Sequence, residues 1–406
     1  MRAQYPVWFG LLRRGSVGAI CVGLATTVLA GCSNPESGGK LNCPPGMRTV
    51  WHDPLNGVGE CEIVTPLSDG HTPRSGLEQP FPAMNRPSGA LTTPERIELG
   101  RLLYFDPVLS GDNTVSCAHC HHPAYGFTDN RPVSTGIGGK QGGRSAPTVW
   151  NAMWNSEQFW DGRVKTLEDQ AKGPIQNPIE MNQDPVKLVG ELQAIPEYRQ
   201  RFDEAFRGSN GSAVTLDNIA LAIAAFERTI ASVSSPFDRY AAGDRSAMNE
   251  SAQRGLNLFR SVSTRCFECH EIPTFAMKEY KVLGVPSLAN PTMVDDDRGR
   301  AAIMPGAAYE RAFRVPTLRN ITKTAPYMHN GAFKTLDEVL DFYAKGGGLG
   351  RGYKLDNVDD KIRKFDLSAD EKADLIAFME ALTDESLVPE VPKTVPSGLP
   401  VAKGPL

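Results

Sequence analysis

This sequence predicts a mostly α-helical protein of two related domains behind an irregular N-terminal extension, and three observations carry that expectation. The pentapeptide Cys117-Ala118-His119-Cys120-His121 is matched, roughly 150 residues on, by Cys266-Phe267-Glu268-Cys269-His270. A helical pattern precedes each pentapeptide, and no long alternating segment suggests a sheet. Each pentapeptide reads as a c-type haem attachment site: the paired thiols can form thioethers to the two vinyl groups of one haem, and the trailing His121 or His270 can supply a nitrogen to its iron. A four-thiolate zinc site or two redox CxxC pairs would leave the shared trailing histidine unexplained.

The elements follow in chain order. Arg13 and Arg14 precede an apolar run from Val17 to Leu29 that stops at Ala30-Gly31-Cys32. The run is too short to span a bilayer and ends on small residues, so residues 1–31 read as a lipoprotein signal peptide and Cys32 as the lipidated first residue of the mature chain. A protein anchored in this way faces the periplasm, and Ser33 after the lipidated cysteine points to the outer membrane. Residues 32–88 are turn-rich, as in Asn42-Cys43-Pro44-Pro45-Gly46, and read as a tethered extension. Eight cysteines are then accounted for: Cys21 leaves with the signal peptide, Cys32 takes lipid, four hold haem, and Cys43 with Cys61 make a disulfide in an oxidising compartment.

The first haem domain is expected over 89–245 and the second over 246–387, each c-type-cytochrome-like and packed against the other. Thr93-Pro94-Glu95 opens a helix carrying Leu99, Leu102 and Leu103 before the first motif, and Ser251 to Phe259 forms its counterpart before the second. The spacing of Ile219, Ile223, Phe226 and Ile230 predicts a long helix over 216–230, placed between the domains. A capping box, Thr335 with Glu338, starts a helix with Leu336, Leu340 and Tyr343 on one face; another, Ser368 to Glu371, starts one burying Leu375, Phe378, Met379 and Leu382. Residues 388–406 are Pro-rich and read as an extended or disordered tail.

Between and after the haem motifs stand Arg144-Ser145-Ala146-Pro147-Thr148, Gln158-Phe159-Trp160-Asp161-Gly162-Arg163, Gln170-Ala171-Lys172-Gly173-Pro174, Glu180-Met181, Val315-Pro316-Thr317-Leu318-Arg319-Asn320 and Ala325-Pro326-Tyr327-Met328-His329-Asn330-Gly331. In this order they resemble the bacterial dihaem cytochrome c peroxidase family, which includes MauG, over residues 89–384. The resemblance implies a first haem, on His121, that reacts with hydrogen peroxide, and a second, on His270, that handles electrons. It places Trp160 between the haems and Gln170 and Glu180 over the peroxide-binding face. It also implies a calcium ion between the haems, with Thr324 and Pro326 as carbonyl ligands and Ser145 where relatives use an Asn. The chemistry agrees, because cleaving an O–O bond needs a proton moved from one oxygen to the other and a carboxylate in an apolar pocket can move it.

Two departures from the ordinary peroxidase pattern discriminate within the family. Ordinary members carry a His in the loop after the first motif that caps the first iron; the loop from Gly126 to Gly143 contains none, so that iron is expected open to peroxide. His119 and His122 lie too close to the attachment site to replace it. Counting from His329, Tyr343 falls where ordinary members have a Met ligand to the second iron and MauG has a Tyr, and a phenolate favours the more oxidised states. Both departures point to oxidation of an aromatic residue of a partner protein. One feature cuts the other way: a surface Trp two residues before the second motif in MauG is Thr264 here. The alternatives are peroxide removal with electrons from a small cytochrome or cupredoxin, and a plain electron carrier with two capped irons. A net charge of −4 over 406 residues argues against nucleic acid as a partner.

Overall fold

The computed structural model describes residues 41–54 and 56–406; the predicted signal peptide and Cys32 lie outside the described residues. The extension is more regular than its composition suggests. Strands β1 (Met47–Asp53) and β2 (Val58–Ile63) form an antiparallel hairpin, pairing Met47 with Ile63 and Thr49 with Cys61. β1 has only seven residues and β2 six, too few to stand out among so many turn formers. The Cys43–Cys61 disulfide closes the hairpin onto Ile97 and Ala225 of the first domain. Glu60, fully buried, takes a bidentate bond from Arg86 at 2.5 and 2.7 Å and the Thr92 N–H at 3.1 Å, fastening the hairpin to the first helix.

Helix α1 (Pro94–Phe105) starts at Thr93, whose hydroxyl accepts the Arg96 N–H, with Pro94 in the first turn where its missing N–H costs nothing. A single turn, α2 (Cys117–Cys120), carries the first motif. There follow α3 (Leu167–Gln176), α4 (Pro185–Ala194), α5 (Pro196–Phe206), α6 (Leu216–Glu227) and α7 (Pro236–Ala241). The second half has α8 (Glu250–Phe259), α9 (Leu336–Ala344), the single turn α10 (Gly347–Gly350) and α11 (Ala369–Glu380), with a two-residue strand pair, β3 (Tyr280–Lys281) and β4 (Phe313–Arg314).

Two apolar cores result. One gathers Leu99, Leu103, Phe105, Phe202, Ile219, Ile223 and Phe226; the other gathers Phe237, Phe259, Phe275, Leu340, Leu375 and Phe378. Each core is built on a helix crossing at a glycine. A Cβ on Gly100 of α1 would lie 1.8 Å from the Ala222 carbonyl oxygen of α6, and one on Gly255 of α8 would lie 1.9 Å from that of Asp374 in α11. In both crossings a phenylalanine four residues further on, Phe226 or Phe378, is the next residue met. The paired haem motifs therefore sit behind paired helix crossings.

Two expectations change. Helix α6 packs on α1 and α3 inside the first core rather than between the domains, because its apolar stripe is matched by the α1 face. The tail is extended but packed: Val395 and Ala402 are buried in the first core, and the Ser397 hydroxyl donates to Asp106 at 2.6 Å. The chain thus returns from the second domain to strap the first.

Candidate functional site

Two cavities hold the motif residues, one in each domain. The first, about 560 Å³, is lined by Cys117, Cys120, His121, Gln170, Glu180 and Trp160; the second, about 240 Å³, by Cys266, Cys269, His270, Met328, Tyr343 and again Trp160. The four thiols are free, and because the two pairs lie in different cavities a shared four-thiolate zinc site is ruled out. Burial raises the thiol pKa values, Cys120 to about 12 and Cys266 to about 11.

The two histidines are held alike. His121 Nδ1–H donates to the Phe127 carbonyl at 3.2 Å and His270 Nδ1–H to that of Phe275 at 2.9 Å. Both phenylalanines are fully buried and take the left-handed backbone region, φ 57° and 51°, a conformation costly for a large side chain that turns each carbonyl toward its histidine. The bond fixes the ring and the tautomer, leaving Nε2 as the free nitrogen, the arrangement metal-ligating histidines use. Burial lowers both pKa values, so the rings are neutral. Thiol pairs, an oriented neutral imidazole and an apolar slot in each domain fit one haem c apiece.

Helix α3 and the turn after it shape the other wall of the first cavity. Thr166 caps α3 and places Gln170 on its inner side; Pro174 near its end hands the chain to a turn in which the Asn177 amide donates to Glu180 Oε1 at 2.6 Å. Burial raises the Glu180 pKa, outweighing the Arg163 charge and the Asn177 bond. In the second cavity Tyr343 projects from α9. Burial pushes its phenol up, and the charges of Cys269 and Cys266 add to the rise. A phenol so placed ionises only beside a cation. The alternatives to Tyr343 as ligand are Met328, Met304, Met293 and His329: Met328 lines the same cavity, Met293 and Met304 are exposed, and His329 also lines it while bonding Asp295.

The cavities share a wall that includes Ser145, Trp160, Asp297 and Arg314. Trp160 Nε1–H donates to the Ser145 carbonyl at 2.9 Å, and its ring lies 6.5 Å edge-on from His329. His329 stacks on Phe313 at 3.7 Å and meets Asp295 through Nε2 at 3.2 Å. Burial opposes the Asp295 charge, but His329, the Asp297 N–H and the Asn330 amide bring its pKa down to about 2. Arg144 spans the wall, with two bonds to Asp297 (2.7 and 2.9 Å) and one to Asp161 (2.7 Å). Thr324 and Pro326 line the second cavity together with Ser145; the Ser145 hydroxyl donates to the Arg131 carbonyl at 3.4 Å. Sequence reasoning missed the Arg144, Asp161 and Asp297 cluster, the His329 and Asp295 pair, and Glu227, whose carboxyl lines the first cavity with Oε2 unpartnered. Only the buried acid in an otherwise apolar α6 could have flagged the last.

Fold and site together define a two-haem c-type oxidoreductase. The model of the di-haem cytochrome c peroxidase family matches residues 94–246. The chain is 36% identical over 335 residues to the cytochrome c551 peroxidase of Pseudomonas aeruginosa, covering 81% of this chain and 92% of that one. It is 37% identical over 303 residues to the methylamine utilization protein MauG of Methylorubrum extorquens, covering 74% and 82%. A crystal structure of a MauG-like protein associated with microbial copper homeostasis superimposes with a TM-score of 0.68 at 32% identity, covering 77% and 96%. This chain belongs to the di-haem cytochrome c peroxidase family. It is therefore a haem peroxidase-type oxidoreductase, and membership implies two haem c groups, hydrogen peroxide as substrate and a partner protein or redox carrier.

Proposed function

We propose that this protein is a MauG-type oxidase: it reacts with hydrogen peroxide at an open first haem, shares the oxidising equivalents with the second, and oxidises an aromatic residue of a partner protein. The observation that carries the reading is Tyr343, whose phenol lines the second cavity with His270, together with a loop from Gly126 to Gly143 that holds no histidine. A phenolate on the second iron suits it to holding an oxidising equivalent rather than drawing electrons from a carrier.

The haems supply the peroxide and electron chemistry when bound. The protein's share is proton movement and geometry. Asn177 holds Glu180 Oε1, leaving Oε2 to take the proton from the nearer peroxide oxygen and return it to the departing one, with Gln170 orienting the peroxide by hydrogen bonds. Trp160, pinned by the Ser145 carbonyl, lies in the wall common to both cavities and serves as the relay between them. Ser145, Thr324 and Pro326 offer the oxygen donors a calcium ion takes, and we assign the ion there. The signal peptide reading and Cys32 support a lipid anchor that holds the protein on the periplasmic face of the outer membrane; no helix among the described residues is long and apolar enough to cross a membrane.

Low-temperature EPR of the fully ferric protein, before and after one equivalent of peroxide without reductant, tests the reading. Loss of both a high-spin and a low-spin ferric signal is expected. A wholly low-spin sample that ignores peroxide would return the chain to ordinary peroxidases or carriers.

A further inference from the structure

The surface tryptophan that serves as an exit in MauG is Thr264 here, and its hydroxyl turns inward to donate to the Leu258 carbonyl at 2.5 Å. A threonine cannot pass an oxidising equivalent, so an exit must lie elsewhere. The shared wall offers one. Its residue Arg314 is the register partner of Tyr280 in the β3–β4 pair, and the Arg314 N–H donates to the Trp160 carbonyl at 2.8 Å. One strand pair therefore joins the Trp160 backbone to Tyr280. The half-buried Tyr280 phenol packs against Gly162, two residues beyond Trp160, at a spot where a Cβ would meet its oxygen at 1.5 Å. Its hydroxyl donates to the Glu157 carboxylate, which comes from the other domain. Glu157 is 21% exposed, and Arg300, 4.4 Å over the Tyr280 ring, pairs with it at 3.3 Å.

We propose that Tyr280, with Glu157 as its proton acceptor, is the residue through which oxidising equivalents leave the wall between the cavities for a donor at the surface. The inference rests on the peroxide-driven reading above. Hydrogen peroxide is the oxidant and takes two electrons and two protons in becoming two waters, the protons being balanced by the two that the donor residue releases to solvent as it is oxidised. In each of two turns one electron passes from the Tyr280 ring through the Trp160 wall to the oxidised haem pair, while the phenol proton moves from Oη to a Glu157 oxygen. The neutral phenoxyl radical then takes one electron from the donor residue, and Glu157 returns the proton to Oη. Coupling the two transfers matters because an oxidised phenol is a strong acid, and losing its proton to a hydrogen-bonded carboxylate avoids a charged intermediate in a half-buried site. Arg300 holds Glu157 in place beside the phenol.

The test is freeze-quenched EPR of the haem-loaded full chain after one equivalent of peroxide, without donor, in the wild type, Tyr280→Phe and Glu157→Gln. A tyrosyl radical is expected in the wild type, reduced about tenfold or more in Tyr280→Phe and formed more slowly in Glu157→Gln, while peroxide still consumes the ferric haem signals in all three. Tyr280→Phe keeps the ring and its packing, and an unchanged haem absorbance checks the fold. A tyrosyl signal of full strength in Tyr280→Phe, or none in the wild type despite consumed ferric signals, overturns this inference alone. Ferric signals untouched by peroxide overturn the oxidase reading and this inference with it.

Discussion

At Glu180, burial raises the carboxyl pKa against the pull of Arg163 and the Asn177 amide, which brings a proton carrier toward the pH at which peroxide is handled. Glu180→Gln should leave haem incorporation intact and slow the bimolecular peroxide reaction by about 10²–10⁴, measured by stopped-flow absorbance. The carboxylate form takes the first proton, so the wild-type rate should fall as pH drops through the raised pKa, a limb the Gln variant lacks. Tyr343→Met should raise the potential of the second haem in a redox titration; an unchanged potential would remove Tyr343 from the iron. Glu227 concerns stability. Burial, aided by Glu168 and opposed by Arg228, lifts its pKa from 4.5 to about 8. Between those values the unfolded chain has lost a proton that the folded chain keeps, so stability falls as pH rises through that window. Glu227→Gln should stabilise the protein by on the order of 3 kcal/mol at pH 7 and by little near pH 4.5, read as a gap between melting curves that widens from pH 5 to 8.

Helices were the most legible elements, since caps and apolar periodicity are local. Thr93, Thr335 and Ser368 cap where their sequences predict. The β1–β2 hairpin was not legible, and α6 was legible as a helix but misplaced, because periodicity says which face is buried and not against what. The glycine crossings were invisible for the same reason: Gly100 and Gly255 matter only because α6 and α11 lie against them. Gly100→Ala and Gly255→Ala each press a methyl into a backbone carbonyl, and each should cost about 1–3 kcal/mol or more, with a lower melting temperature for the domain concerned. A variant that melts like the wild type would mean that the helices part there without cost.

The whole molecule depends on contacts that return across long stretches of chain. The tail after Leu387 reaches back to Asp106 and the first core, where Val395 and Ala402 are buried. Deleting residues 388–406 should lower the stability of the first domain by roughly 2–4 kcal/mol, counting the lost apolar burial, and shift its denaturant midpoint. The wall between the cavities is likewise made at long range: Arg144 meets Asp297, 153 residues away, and Tyr280 meets Glu157, 123 residues away.

The mainly helical fold and the family with its two haem c groups could be read from the sequence by itself, because the paired motifs Cys117 to His121 and Cys266 to His270 and the helix caps are written within a few adjacent residues. The candidate catalytic groups Gln170, Glu180, Trp160 and Tyr343 were legible only through order and resemblance, since nothing local distinguishes a catalytic Glu from a surface one. Tertiary structure alone decided that Phe127 and Phe275 aim the two histidines, that the tail is a strap, and that Trp160, Arg314 and Tyr280 adjoin. Those relations come from the packing of segments far apart in the chain, where burial and close approach, rather than any short pattern of residues, determine which groups meet.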